Sequence, residues 1–72
     1  MQHVKGYDKL TENQQKLLIQ AHKAHLSVMG SEMRKKHSSE HITKVEWNRH
    51  DKVLNVFYDN DEWYQYSDRG WS

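Results

Sequence analysis

The sequence predicts an α+β protein, with one long N-terminal helix packed on a three-stranded antiparallel β-meander. Three observations carry this. A capped run of good helix formers fills residues 11–37. From Ile42 onward, β-branched and aromatic residues alternate with polar ones between short turn sequences. The 72-residue chain has no proline and only three glycines, so no linker or repeat divides it. The expected organisation is a single small domain. Residues 1–10 are a lead-in, 11–37 the helix, 42–67 the meander and 68–72 a tail.

Thr11 and Gln14 have the spacing of a capping box, in which the hydroxyl accepts from an early helix N–H and the glutamine reaches back. Glu12 suits the positive end of the helix dipole; Arg34, Lys35, Lys36 and His37 suit the negative end. The helix is expected from Glu12 to Lys36, with Gly30 loosening its last turns. At ~100° per residue, Leu17, Ala21, Ala24 and Val28 form one apolar stripe. Ile19, Leu26, Met29 and Met33 form a second, with Leu18, His22 and His25 between them. The apolar arc is about twice the ~100° width of an ordinary surface helix. Part of it covers the sheet. The excess, at Ile19, Leu26, Met29 and Met33, is the candidate face for a homodimer.

"SSEH" at 38–41 breaks the helix, and the strands follow as "ITKVEWN", "VLNVFYD" and "EWYQYS". The turns between them are "RHDK" and "DND", where Asn and Asp tolerate left-handed backbone. One register satisfies all three strands. Tyr58 pairs with Glu62, Val56 with Tyr64, Leu54 with Tyr66 and Phe57 with Trp63. In the first hairpin Asn48 pairs with Val53, Trp47 with Leu54, Val45 with Val56 and Lys44 with Phe57. A slip of one residue would scramble both faces. The core face is then Val45, Trp47, Leu54, Val56, Tyr58, Tyr64 and Tyr66. The outer face is Lys44, Glu46, Asn55, Phe57, Trp63 and Gln65. It is polar except for the adjacent rings of Phe57 and Trp63.

Composition bounds the function. There are no cysteines, which removes disulfides and thiolate metal sites. No apolar run spans a bilayer and no signal-peptide pattern appears, so a soluble, cytoplasmic protein is expected. Net charge is +1, too small to announce nucleic acid. Residues 1–41 carry seven Lys/Arg against four Asp/Glu, a net +3, and hold five of the six histidines. Residues 42–72 carry four against six, a net −2. A small core suits self-association.

The Phe57, Trp63 and Lys44 cluster, with Trp71 beyond the last strand, is the candidate protein-binding surface, since Trp is favoured at binding hot spots. Cross-strand pairing that only stabilises the hairpin would use the same rings. Open aromatics beside a lysine also suit single-stranded bases, but the acidic residues Asp59, Asp61 and Glu62 oppose a phosphate backbone. The helix cations Lys16, Lys23, Arg34, Lys35 and Lys36 form a second nucleic-acid candidate. His22 and His25 are three apart, and His37 and His41 four apart. Such spacings occur in metal sites, but no HExxH or cysteine accompanies them. A packing role, or a pH-sensitive contact, fits them better. No acid/base pair, Ser–His–Asp arrangement or phosphate loop is present. No enzyme activity, cofactor or metal is therefore expected.

The stretch "KVEWNRHDKVLNVFYDNDEWYQYSDRGW", with its V-x-W, L-x-V-x-F, W-Y-x-Y and final G-W, resembles the β-meanders of small phage and prophage proteins from Gram-positive bacteria. The likeness covers residues 44–71 and implies a non-enzymatic accessory or regulatory role. The resulting expectation is a protein-binding partner, with a homodimer as an open alternative, weak nucleic-acid binding second, and no membrane association.

Overall fold

Thr11 starts the first helix as its spacing predicts. In the computed structural model, which describes residues 1–72, its hydroxyl accepts from the Gln14 N–H at 3.1 Å. The Gln14 side chain accepts from the Thr11 N–H at 3.0 Å. Helix α1 then runs Glu12–Ser27 and stops. The single long helix is thus corrected to two, with α2 spanning Ser31–Lys36. Gly30 sits between them in extended conformation, at φ −67° and ψ 168°. Arg34 explains why the break is stable. Its Nε donates to the Leu26 carbonyl and its Nη2 to the Met29 carbonyl, both at 3.2 Å. A helix end leaves carbonyls without helical partners, and here the next helix supplies donors.

The strands are β1 (Ile42–Asn48), β2 (Val53–Tyr58), β3 (Trp63–Ser67) and β4 (Gly70–Trp71), in sheet order β1-β2-β3-β4 and all antiparallel. The expected register holds at Lys44–Phe57, Val45–Val56, Trp47–Leu54 and Asn48–Val53. It also holds at Leu54–Tyr66, Val56–Tyr64 and Phe57–Trp63. The Tyr58 N–H donates to the Glu62 carbonyl at 2.9 Å and closes the second hairpin. Asp61 takes the left-handed backbone there, at φ 67°. A bulge between Ile42 and Lys44 sets Ile42 opposite Tyr58. That extra residue turns Ile42 onto the core face, where strict alternation would have put Thr43.

The meander of three strands becomes a sheet of four because the tail folds back. Gly70, at φ 112°, provides the turn. Tyr66 then pairs with Trp71, and Gln65 and Ser72 exchange two backbone bonds at 3.0 Å. The lead-in is corrected too. The Lys5 N–H donates to the Thr43 carbonyl at 3.0 Å and the Val45 N–H to the Lys5 carbonyl at 2.9 Å, a parallel bridge on the open edge of β1. Val4 and Leu10 on either side reach the core. Residues 1–10 therefore form a strap that shields an edge strand, a position otherwise prone to unwanted pairing.

Helix α1 packs on β3 and β4. Its buried stripe is Leu18, Ala21, His22 and His25. This corrects the expected contact stripe: Leu17 is half-buried, while Ala24 and Val28 are exposed. The buried stripe lies between the two apolar stripes and includes two histidines. The reason lies on the sheet. Its core face presents Tyr58, Tyr64 and Tyr66, whose hydroxyls need polar partners once buried. No helix of the chain is long and apolar enough to cross a membrane.

Candidate functional site

The outer sheet face is built by β-alternation. Phe57 on β2 and Trp63 on β3 are directly opposed, and their rings stack at 6.0 Å between centroids and 22° between planes. Lys44 on β1 sits next to Phe57, with Nζ 5.5 Å from the ring centroid. The same Nζ lies 2.8 Å from Glu46 Oε1. The face thus holds two rings and a neutralised ion pair. Phe57 is half-buried by its neighbours, but Trp63 is 53% exposed. Asn55 lies between Glu46 and Gln65 in register, and its buried Oδ1 has no hydrogen-bond partner.

On the opposite side of the sheet lies a cluster of rings from five elements. His25 Nδ1 is 2.8 Å from the Tyr66 hydroxyl, which is 2.6 Å from the Tyr58 hydroxyl. His22 Nε2 donates to the His37 carbonyl at 2.7 Å. His37, the residue that ends α2, is fully buried and lies 3.3 Å from Glu62 Oε1 through Nε2. Tyr64 donates its hydroxyl to the same Glu62 oxygen at 2.6 Å. Trp71 stacks on His25 at 5.0 Å and 24°. Burial, then the charges of His37 and His22, holds His25 below its ordinary pKa. The Tyr64 hydroxyl, and after it His37, holds the Glu62 carboxyl below the usual range. In return Glu62 pushes Tyr64 up to about 12. Burial raises Tyr66, helped by its bond to Tyr58.

Comparison with protein-family models, curated proteins and solved structures found no match to this chain.

The candidates named from sequence separate in space. Phe57, Trp63 and Lys44 come together. Trp71 does not join them: paired with Tyr66 and stacked on His25, it closes an edge of the core. Ile19 and Met33 are exposed, at 51% and 44%, while Leu26 and Met29 are half-buried. The break after Ser27 takes Met33 off the helical register that would have aligned it with Ile19 and Leu26. The helix cations do not form a free patch either. Lys16 pairs with Glu12 at 3.6 Å, and Arg34 is committed to carbonyls. Lys23, Lys35 and Lys36 remain exposed. The histidine pairs also part. His22 and His25 face the core, whereas His41 bonds Asp59 at 2.8 Å near the surface. That bond raises the His41 pKa. Sequence reasoning found the histidine spacing and placed Tyr58, Tyr64 and Tyr66 on the core face, but missed that His22 and His25 turn onto those rings. The signal was present: 18, 21, 22 and 25 follow the helical core period, with imidazoles at two of the four positions.

Proposed function

We propose that this chain is a small non-enzymatic protein-binding module whose docking surface is the outer sheet face, centred on Trp63. One observation carries the reading: a 53% exposed tryptophan, fixed by stacking on Phe57, on the side of the sheet away from the core. A ring held in place before binding loses little entropy when a partner covers it. Trp63 contributes little to the fold. An exposed cross-strand pair is worth roughly 0.2–1 kcal/mol. The unmet Asn55 acceptor gives a partner's donor a second anchor once the flanking side chains turn aside. The lysine on this face is already paired with Glu46, and Asp59 and Asp61 are exposed beside it, which favours a protein over a phosphate backbone. The meander's likeness to phage and prophage proteins makes an accessory role in a mobile element part of the same proposal.

The test compares Trp63→Ala with the parent chain in affinity capture from a host lysate. Expected is loss of the captured partner, with the melting temperature lowered by only a few degrees, about what ~1 kcal/mol costs a chain this small. A variant that no longer folds, or that retains the partner, removes the proposal. Capture that collapses between low and moderate salt would instead favour nucleic acid, the second reading.

A further inference from the structure

A core with three imidazoles must place its protons somewhere, and the geometry fixes where. His22 Nε2–H donates to the His37 carbonyl. His37 Nδ1–H donates to the Met33 carbonyl at 2.8 Å. This leaves His37 Nε2 facing Glu62 Oε1 at 3.3 Å. A neutral imidazole has one N–H, already used, so its bare lone pair would meet a carboxylate. Only the imidazolium donates to both oxygens. The carboxylate is held ready for it, by Tyr64 on one oxygen and Asn60 on the other.

His25 is placed differently. Tyr58 can donate to Tyr66 and Tyr66 to His25 Nδ1, so a neutral His25 ends a chain with one proton per link. A protonated His25 must donate instead, which leaves one of the two hydroxyl protons without an acceptor. Its ring is buried between the edge of Tyr64 at 4.5 Å and the face of Trp71 at 5.0 Å. His37 is 6.2 Å away. The titratable groups around it are His22 on α1, His37 at the end of α2, Tyr64 and Tyr66 on β3, and Glu62 in the β2–β3 turn. Glu62 is the one acid among them, and it already faces His37. A second positive charge therefore has no counter-ion in contact.

We propose that the three-histidine core is a proton-operated latch: with Glu62 engaged by His37, a proton on His25 releases β4 and Trp71 from α1. The element released is suited to it. Strand β4 has two residues, Gly70–Trp71, paired with Tyr66 and Ser67, and two backbone bonds between Gln65 and Ser72 follow it. Trp71 meets the helix in the His25–Trp71 stack. Burial and the neighbouring imidazoles keep His25 below its ordinary value of 6.5. The latch thus stays closed near neutrality and opens in mild acid. Opening uncovers the edge of β3, the strand that carries Trp63.

The test is an NMR titration from pH 8 to 4.5, following histidine ring carbons and tryptophan indole N–H signals. It uses the parent chain, His25→Gln, His25→Phe and Glu62→Gln. Expected is a His25 midpoint below its ordinary value of 6.5. The Trp71 indole signal should move with His25. In His25→Gln the Trp71 signal should lose that transition. His25→Phe, which keeps a ring against Trp71, should lose it as well, and it covers failure of the glutamine variant to fold. Glu62→Gln should lower the His25 midpoint further, because the one acid near that ring is gone. A His25 midpoint at or above 6.5 overturns the latch. So does a Trp71 transition that survives both His25 variants, or one that coincides with global unfolding in every chain.

Discussion

Gly6 has its backbone at φ 89°, and a Cβ built there would strike the Val45 carbonyl oxygen. Both the left-handed angle and the close approach exclude a side chain, because the strap must lie flat on β1 to donate and accept at Lys5. Gly30 makes no such demand. Its φ of −67° is ordinary, and no atom lies within 4 Å of a Cβ there. Gly6→Ala should destabilise the protein by about 1–3 kcal/mol, the cost of a strained backbone position. Gly30 is the N-cap of α2, where Gly is preferred to Ala, and this offsets the gain from a less flexible unfolded chain, so Gly30→Ala should change stability by well under ~1 kcal/mol. Urea unfolding of the two variants checks both, and only Gly6→Ala should be clearly destabilised. Tyr66 is a third case. Its hydroxyl is shared between His25 and Tyr58, so Tyr66→Phe strips a partner from two buried groups and should cost about 1–3 kcal/mol. None of this was legible in the sequence, where Gly6 and Gly30 look alike. What distinguishes them is a carbonyl nearly forty residues away.

At the level of elements, legibility follows how local the cause is. The start of α1 was readable because a capping box needs only Thr11 and Gln14. Its end was not, because the break depends on Arg34 reaching back to Leu26 and Met29. Arg34→Met keeps the apolar stem and removes the donors. It should cost roughly 0.5–1.5 kcal/mol, with faster amide hydrogen exchange confined to the last turn of α1 and the Val28–Gly30 linker. Exchange that accelerates evenly along the chain would contradict that account. Apart from the bulge after Ile42, the three longer strands were readable down to register, since alternation with period two lets one pairing gather Val45, Leu54, Val56, Tyr58, Tyr64 and Tyr66 on one face. The Phe57–Trp63 pair on the outer face followed from that register. Strand β4 was not readable, because two residues carry no period. The strap, with Val4 and Leu10 as anchors, has none either. The histidine cluster required knowing that His22 and His25, rather than Ala24 and Val28, would face the tyrosines of the sheet, a fact of packing that no single element contains.

For the whole molecule, a chain of this size has only a modest margin of stability, so a few titrating groups can tilt it. His25 and His41 pull in opposite directions. His25 has its folded pKa lowered from 6.5, chiefly by burial. Below 6.5 the unfolded chain then binds a proton that the folded one refuses. The stability His25 contributes is full above 6.5 and falls as pH drops toward its folded value. His41 has its folded pKa raised from 6.5, chiefly by its bond to Asp59. Its contribution is full below 6.5 and is lost as pH rises through its folded value. The two slopes meet near 6.5, so the melting temperature should pass through a maximum there. Two further groups close the outer limits. Glu62, with its pKa lowered from 4.5, withdraws its contribution as pH falls below that value. Tyr64, pushed from 10 up to about 12, withdraws its contribution as pH rises above 10. The maximum can be taken apart by variants. His41→Asn should flatten the limb above 6.5 and leave the acid limb in place. His25→Gln should do the reverse, though at a lower melting temperature throughout, because the ring that stacks on Trp71 is gone. Melting curves at intervals from pH 4 to 9 read both limbs. If one variant flattened both, a shared group would control the two sides; separate limbs require the buried and surface histidines to act independently, as their separate partners in the fold demand.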